Sequence, residues 1–539
     1  EAGWQMADEY LSGDVVTKLE EAEAAAASDK RFRRNVEALR KVQPKPLEAK
    51  NISVGLGAPW IPTEHLDVFA REILGLNLHI RYNKDSGTFS VPDANRRSAR
   101  SGTSEWGTPD RSPQEILSAV LNNQSITIRV KDAQGKTHTD ATATTEANEK
   151  ADKMRKAFES WIWQDAKRTG ELVKIYNRTF NNIAPRRFDG SHLTLPGLSL
   201  RYKLYDHQKR AIWRIIQTGN VYLAHAVGAG KTLEMIVSGM EQRRLGLIQR
   251  PMYVVPNHML RQFSSEFQDA YPLARIMVAD EENFTGANRR RFVAQAALNA
   301  PDAIVITHSA FKRIGTRPET MEAVTKDLLT QLEEAIKDST DRISRSRLEQ
   351  RLEQAKRRAE ARFSKAKDQA VFFEDMGVDF LYVDEAHGFR KLDFVTNRDR
   401  VKGIDPSGSE MALDLYSKLE WLRKEHPGRS HVLASGTPVT NTMAELYTVM
   451  RYMDPDGLER DGLSSFDAWA TMFGRVKADL EQNASGSYEN VERFAKFVNV
   501  PELMKRVRGF MDVLTMSQLG DLVKRPDLKT GQPVNVVAQ

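Results

Sequence analysis

The sequence predicts an α/β fold: a mostly parallel, helix-covered sheet preceded by a mixed region of helices and hairpins. Three observations predict it. From Leu204 onward, short apolar strands alternate with amphipathic helices, the signature of βαβ units. A glycine-bearing loop, His225 to Thr232, follows one strand and opens a helix. An Asp384-Glu385 pair closes another strand, and parallel sheets bind ligands at such carboxyl ends.

The chain has 539 residues, room for about three domains with cores of their own. Hydrophobic residues make up 40% and charged residues 28%, as in ordinary globular proteins. No run of 18 apolar residues is present, so the sequence predicts no membrane span. The first residues lack a basic-then-apolar leader. There are no cysteines, which removes disulfides and thiolate metal sites and fits a reducing compartment; a cytoplasmic location is the expectation. The 11 histidines show no zinc-enzyme spacing. A net charge of +6 is too small to argue for a nucleic-acid partner without knowing its distribution. The chain begins with Glu1, and the expectation is a fragment or processed product of a longer protein.

Residues 1–200 read as an accessory region. A helix is expected over 14–41, a hairpin over Leu78–Val91, and a second hairpin around Gln134-Gly135. Ser112-Pro113-Gln114-Glu115 is a capping box opening another helix. A long helix fits Thr144 to about Ile175, with Met154, Phe158, Trp161 and Trp163 on or near its apolar face. In residues 201–455 the expected strands are Val221–Ala224, Met252–Val255, Arg275–Val278, Ala303–Thr307, Phe380–Val383 and His431–Ala434. One stretch interrupts them. Residues 317–371 are nearly free of Gly and Pro, heavily charged, and apolar at Leu328, Leu332, Ile336, Leu348 and Leu352; they read as an inserted helical hairpin broken near 338–341. Residues 456–539 read as a helical extension, with helices over 463–515, and linker.

The loop chemistry is specific. Gly228, Ala229 and Gly230 let backbone N–H groups curl toward phosphate oxygens at a helix N-terminus. Lys231 adds a charge for the β- and γ-phosphates, and Thr232 a hydroxyl for Mg²⁺. His225 stands where the phosphate-loop pattern has its first Gly. Asp384 would hold the metal, and Glu385 would polarise the attacking water. Lys231 and Asp384 are 153 positions apart (384 − 231). That is long for this pair, but setting aside the insertion leaves room for about three βα units.

Together these motifs resemble the superfamily-2 helicases, DEAH-box in form. The resemblance implies a RecA-like first motor lobe that binds ATP with Mg²⁺. It implies adenine recognition by Gln208 within Tyr205-Asp206-His207-Gln208, and a catalytic site of Lys231, Asp384, Glu385 and His387. It also implies coupling of hydrolysis to movement by Ser435, Gly436 and Thr437, whose Gly-Thr-Pro-x-x-Asn form is nearest the Swi/Snf-like translocases. Nucleic-acid candidates are Pro256, Asn257, Thr307 and His308, together with Arg398, Arg400 and Lys402 in the basic loop after the acidic motif. Arg390-Lys391 and the run 288–292 are locally basic as well. Phrases such as those at 57–62, 189–197 and 254–260 resemble helicase–adenine-methylase fusion proteins of phages and mobile elements. The implied partners are DNA, a second RecA-like domain and a methylase domain, the last two lacking motifs in this sequence. Three readings stay open beside the translocase: strand separation, a regulatory ATP-binding scaffold that does not hydrolyse, and a small-molecule P-loop enzyme. RNA remains an alternative track.

Overall fold

The computed structural model describes residues 5–84, 87–92, 105–122, 124, 126–131, 137–280, 284, 286–338, 342–367, 371–396, 401–402, 404–440, 442–482 and 488–522. At its centre is a seven-stranded parallel sheet. In chain order the strands are β1 (Val221–His225), β2 (Pro251–Val255), β3 (Ile276–Ala279), β4 (Ala303–Thr307), β5 (Phe380–Val383), β6 (His431–Ala434) and β7 (Met511–Leu514). Their spatial order is β7-β1-β6-β5-β2-β4-β3, and every neighbouring pair is parallel. Six of the strands were legible as apolar runs. The five inner strands are buried on both faces, which explains why they read as continuous rather than alternating hydrophobic segments.

The strand period of two divides the core. Val221, Leu223, Tyr253, Val255, Val305 and Tyr382 face one layer; Tyr222, Ala224, Met252, Val254, Ile304 and Leu381 face the other. The first layer is closed by α1 (Asp206–Thr218), α2 (Lys231–Arg244) and α3 (Leu260–Ala270), through Ile212, Ile215, Ile236, Phe263 and Phe267. The second layer runs on into the N-terminal region and into the residues that follow β6. This is a RecA-like α/β arrangement, as the sequence predicts. Among the described residues no helix is long and apolar enough to cross a membrane.

The insertion forms two antiparallel helices, α4 (Pro318–Asp338) and α5 (Arg342–Lys367). Leu332, Ile336 and Leu348 make its seam, flanked by Leu328 and Leu352; of the expected break, 339–341 lie outside the described residues. A cavity of about 620 Å³ opens between α4 and α6 (Glu410–Glu425), with Trp421 and Tyr416 on its wall.

Three expectations need correction. The helix expected over 14–41 is two helices, Val15–Ser28 and Arg33–Lys41. Asp29 divides them by accepting from the Arg31 N–H at 2.9 Å, starting a short 3-10 turn; such local bonds compete with the helix ladder. The helix expected over 144–175 is likewise two, Ala141–Trp161 and Ala166–Phe180. Asp165 caps the second, accepting from Arg168 N–H at 2.7 Å, and the Arg168 guanidinium lies 3.6 Å from the Trp161 ring centre. The expected all-helical stretch 463–515 instead holds an antiparallel pair, Gly474–Gln482 with Tyr488–Phe497, and the edge strand β7. Tyr488, Val491, Phe494 and Phe497 recur every third residue, a helix-like period that pairing with residues 474–482 overrides. The sheet therefore extends well past residue 455.

The hairpins at Arg81–Asn83/Thr88–Ser90 and Arg129–Lys131/Thr137–Thr139 are present, the turn of the second (132–136) lying outside the described residues. The Ser112 capping box is formed as well. The N-terminal region docks on the segment that leads into β7. Asn499 exchanges side-chain hydrogen bonds with the Ser53 backbone, and Arg506 donates to the Thr179 carbonyl at 3.1 Å.

Candidate nucleotide-binding site

Parallel strands bring all their carboxyl ends to one edge, so the motifs that follow β1, β5 and β6 meet there. The loop after β1 turns through Gly228 and Gly230, both at positive φ. At Gly230 the close approach is decisive: a Cβ would stand 2.3 Å from Gln208 Nε2. Lys231 then opens α2, and its Nζ donates to the His225 carbonyl at 3.0 Å, within the curl where phosphates are held in such loops.

Gln208 was expected to read adenine. Here its Oε1 accepts from Tyr205 N–H at 3.0 Å, closing the cap of α1, and its Nε2 donates to the Ala229 carbonyl at 3.2 Å. His207 reaches the same carbonyl through Nε2 at 3.0 Å. The N-terminus of α1 thus pins the loop from below, and Gln208 is buried by that task.

After β5, Asp384 is 6% exposed. Burial, then the neighbouring Glu385 carboxylate, pushes its carboxyl up to about 6. The Glu385 N–H, which donates to Asp384 Oδ1 at 2.9 Å, pulls the other way, followed by Lys231 and His387. Glu385 occupies the left-handed region at φ 49°, strain of the kind concentrated at functional sites. Its Oε2 lies 2.9 Å from His387 Nδ1. The same nitrogen lies 3.1 Å from Ser435 Oγ at the end of β6, and Ser435 Oγ also accepts from Thr437 N–H at 3.1 Å. A Cβ on Gly436 would be 3.2 Å from Val227 Cγ2. Lys231, Asp384, Glu385, His387 and Ser435–Thr437 are therefore one constellation. Mg²⁺ takes one or two carboxylates plus substrate phosphates; the Asp384 carboxylate and the half-buried Thr232 hydroxyl are of the kind that suits it.

Of the nucleic-acid candidates, Pro256, Asn257, Thr307 and His308 come together at the ends of the neighbouring strands β2 and β4. Pro256 is buried and has no donor. Thr307 is buried and caps the next turn, accepting from Ala310 N–H at 3.2 Å. His308 turns inward, its Nε2 at 2.9 Å from the Asp384 carbonyl and its ring against Phe389; burial lowers its pKa. Asn257 is exposed and donates to Ser309 Oγ at 2.7 Å, tying the ends of β2 and β4. Lys402 is exposed, and its carbonyl accepts from Phe494 N–H at 3.0 Å. Arg398 and Arg400 lie outside the described residues, as does Asn441. Arg390 is an internal tie: its Nε meets Glu445 at 3.1 Å and its Nη1 donates to Thr440 Oγ1 at 2.6 Å. Lys391 pairs with Asp405 at 3.3 Å.

Sequence reasoning missed what surrounds His225. Its ring is 1% exposed, with Nδ1 at 3.0 Å from Glu234 on α2 and Nε2 at 3.0 Å from Asp512 on β7. The available signal was an acid inside each of two apolar runs, Leu233–Val237 and Phe510–Leu514, since buried acids need partners.

The chain is 25% identical over 421 residues to Defense against restriction protein B of Escherichia phage P1, covering 70% of this chain and 18% of the phage protein, so it spans under a fifth of that relative. The Sulfolobus solfataricus SWI2/SNF2 ATPase core in complex with dsDNA is 13% identical, covers 61% of this chain and 48% of its own, and superposes with a TM-score of 0.33. The same core domain without DNA gives 14%, 62%, 50% and 0.32. Residues 55–182 match a family described as a domain of unknown function. Residues 213–515, more than half the chain, match the family described as "Probable helicase domain", and the chain belongs to that family.

Proposed function

We propose that this chain is the ATP-binding lobe of a superfamily-2 DNA translocase of the Swi/Snf-like branch. The observation that carries the reading is the convergence of Lys231, Asp384–Glu385 and Ser435 at one sheet edge, where His387 joins Glu385 to Ser435. Loop N–H groups and Lys231 would hold the phosphates, and Thr232 and Asp384 would hold Mg²⁺, which supplies charge neutralisation on the phosphates when bound. Glu385 would orient the attacking water. His387 and Ser435 would carry the state of that site to the loop at 436–440.

Hydrolysis in this reading needs a second RecA-like domain, because related motors take an arginine finger from outside the first lobe, worth about 10³–10⁵ in rate. The exposed outer face of the loop, with Val227 67% exposed, suits such a partner. In the intact protein an adenine-methylase domain would accompany the motor, on the phrase-level resemblance. Duplex DNA is the track to test first, since the phage relative is named for defence against restriction.

The test is the ATPase rate with and without duplex DNA, on this chain and on a form extended by a second lobe. Activity in the extended form alone, lost in Glu385→Gln, supports the proposal. Nucleotide binding without hydrolysis in both forms would replace it with a regulatory ATP-binding module.

A further inference from the structure

The loop pattern departs from its usual form at His225, and the departure has a structural counterpart on the edge strand beside β1. His225 ends β1 with its side chain turned beneath the phosphate loop, between the carboxylates of Glu234 and Asp512. Asp512 is on β7, 287 residues away in sequence. Two further links join the same two segments, and a third ties β7 to α1. Ala226 N–H donates to the Leu514 carbonyl at 2.9 Å. Ala226 and Ala229 of the loop pack on Leu514 and Leu519. Arg214 of α1 donates to the carbonyls of Arg508, Gly509 and Met511 and lies 3.4 Å from Asp512. The His225 carbonyl, in turn, is where Lys231 Nζ rests.

We infer that Asp512 is a positioning residue for the phosphate-binding loop: through His225 it fixes the loop's first residue, so that the nucleotide site of this lobe is completed by β7, the strand that closes the sheet. This rests on the nucleotide reading above. The physical case is that His225 and Glu234 are almost wholly buried, so a neutral or half-paired arrangement would leave a buried charge uncompensated. With Asp512 present both ring nitrogens face carboxylate oxygens and the imidazolium is held in one orientation. Without it Nε2 loses its acceptor and the end of β1 loses its side-chain tie to β7. The loop then has more conformations to lose on binding phosphate, which lowers affinity without touching any phosphate-contacting atom.

The experiment uses the full chain and two readouts. The first is affinity for the fluorescent nucleotide methylanthraniloyl-ADP with Mg²⁺, in wild type, Asp512→Asn, Asp512→Glu, His225→Asn and the His225→Asn/Asp512→Asn double variant. Asp512→Asn is expected to weaken binding about tenfold or more, the scale of a charge-assisted hydrogen bond. Asp512→Glu is expected to restore most of it, and the double variant to bind no more weakly than the weaker single one. The second is hydrogen exchange over 225–232 without nucleotide, expected to accelerate in Asp512→Asn while β2 and β5 stay protected. Wild-type affinity in Asp512→Asn, losses that multiply in the double variant, or an unchanged loop exchange rate would each overturn the inference. If wild type itself does not bind while the exchange effect is present, the nucleotide reading fails and the positioning role stands. Should Asp512→Asn not fold, His225→Asn with Asp512→Glu decides the matter by the same two readouts.

Discussion

His387 Nδ1 and Ser435 Oγ are 3.1 Å apart, a contact between the ends of β5 and β6 that joins the acidic motif to the loop after β6. Because Glu385 shares the same nitrogen at 2.9 Å, any change in charge at Glu385 alters what His387 offers Ser435. Ser435→Ala should leave nucleotide affinity within about twofold and lower DNA-stimulated turnover about five- to tenfold, the cost of one hydrogen bond of this kind. Equal loss in binding and turnover would place Ser435 in the nucleotide pocket rather than in coupling.

Lys231 and Glu385 separate binding from hydrolysis. Lys231→Ala removes the cation from the loop and should weaken nucleotide binding at least about tenfold. Glu385→Gln keeps shape and removes the carboxylate. Binding should persist while turnover in the two-lobed form falls about 10²–10⁴-fold, the range for a general base. Titration calorimetry and single-turnover hydrolysis measure the two effects independently.

His225 gives a pH signature. Burial disfavours its charge, but Glu234 and Asp512 outweigh this and raise its pKa from 6.5 to about 9. A raised histidine contributes stability that is complete below about 6.5 and is lost as pH climbs through about 9. The charged groups around it are Glu234, Asp512, Arg214 behind Asp512, and Lys231 at its carbonyl; His207 lies at 6.4 Å between ring centres. Thermal unfolding of wild type and Asp512→Asn should therefore differ by several degrees at pH 7 and converge toward pH 10. A constant difference across that range would mean that His225 is not the group responsible.

What the sequence made legible followed from local patterns. Six strands with an apolar run and a following turn were placed, as were the phosphate loop and the acidic pair, because each is written in a short run of consecutive residues; the inserted hairpin was placed by its unbroken charged, Gly- and Pro-poor composition. What it hid depends on distant partners. Met511–Leu514 follows a helix directly and carries Asp512 inside its apolar run; its identity as a strand comes from pairing with β1. Arg390 reads as a free cation in a basic loop until Glu445 closes on it. The bonds from the Gln208 amide to Tyr205 and Ala229 are likewise visible only in the fold. The helix breaks at Asp29 and Asp165 were readable as caps, and an unbroken apolar period masked them.

Arg390 and Glu445 tie the stretch after the acidic motif to the helix after the coupling loop, and Thr440 joins both through its hydroxyl and its N–H. Glu445 is 7% exposed, so Glu445→Ala leaves Arg390 without its carboxylate in a poorly solvated place. A cost of about 1–3 kcal/mol is expected, read as a lower denaturant midpoint with an unchanged slope.

Arg506 and Asp461 form an ion pair whose side chains are 2% and 4% exposed, and Arg506 also donates to the Thr179 carbonyl of the N-terminal region. The Phe180 ring lies 5.5 Å from its guanidinium. One side chain thus holds three segments: residues 179–180, the loop at 461 and the helix Val500–Phe510 that leads into β7. Removing one partner of a buried pair strands the other, at a cost of about 3–5 kcal/mol. Arg506→Ala should therefore loosen the N-terminal region from the sheet and raise its susceptibility to limited proteolysis near residues 185–200. Asp461→Asn should do so less, because the guanidinium keeps the Thr179 carbonyl. If both variants are cleaved at the wild-type rate, the N-terminal region is held instead by the apolar contacts of Phe180 and Tyr176, and the ion pair serves only the helix before β7.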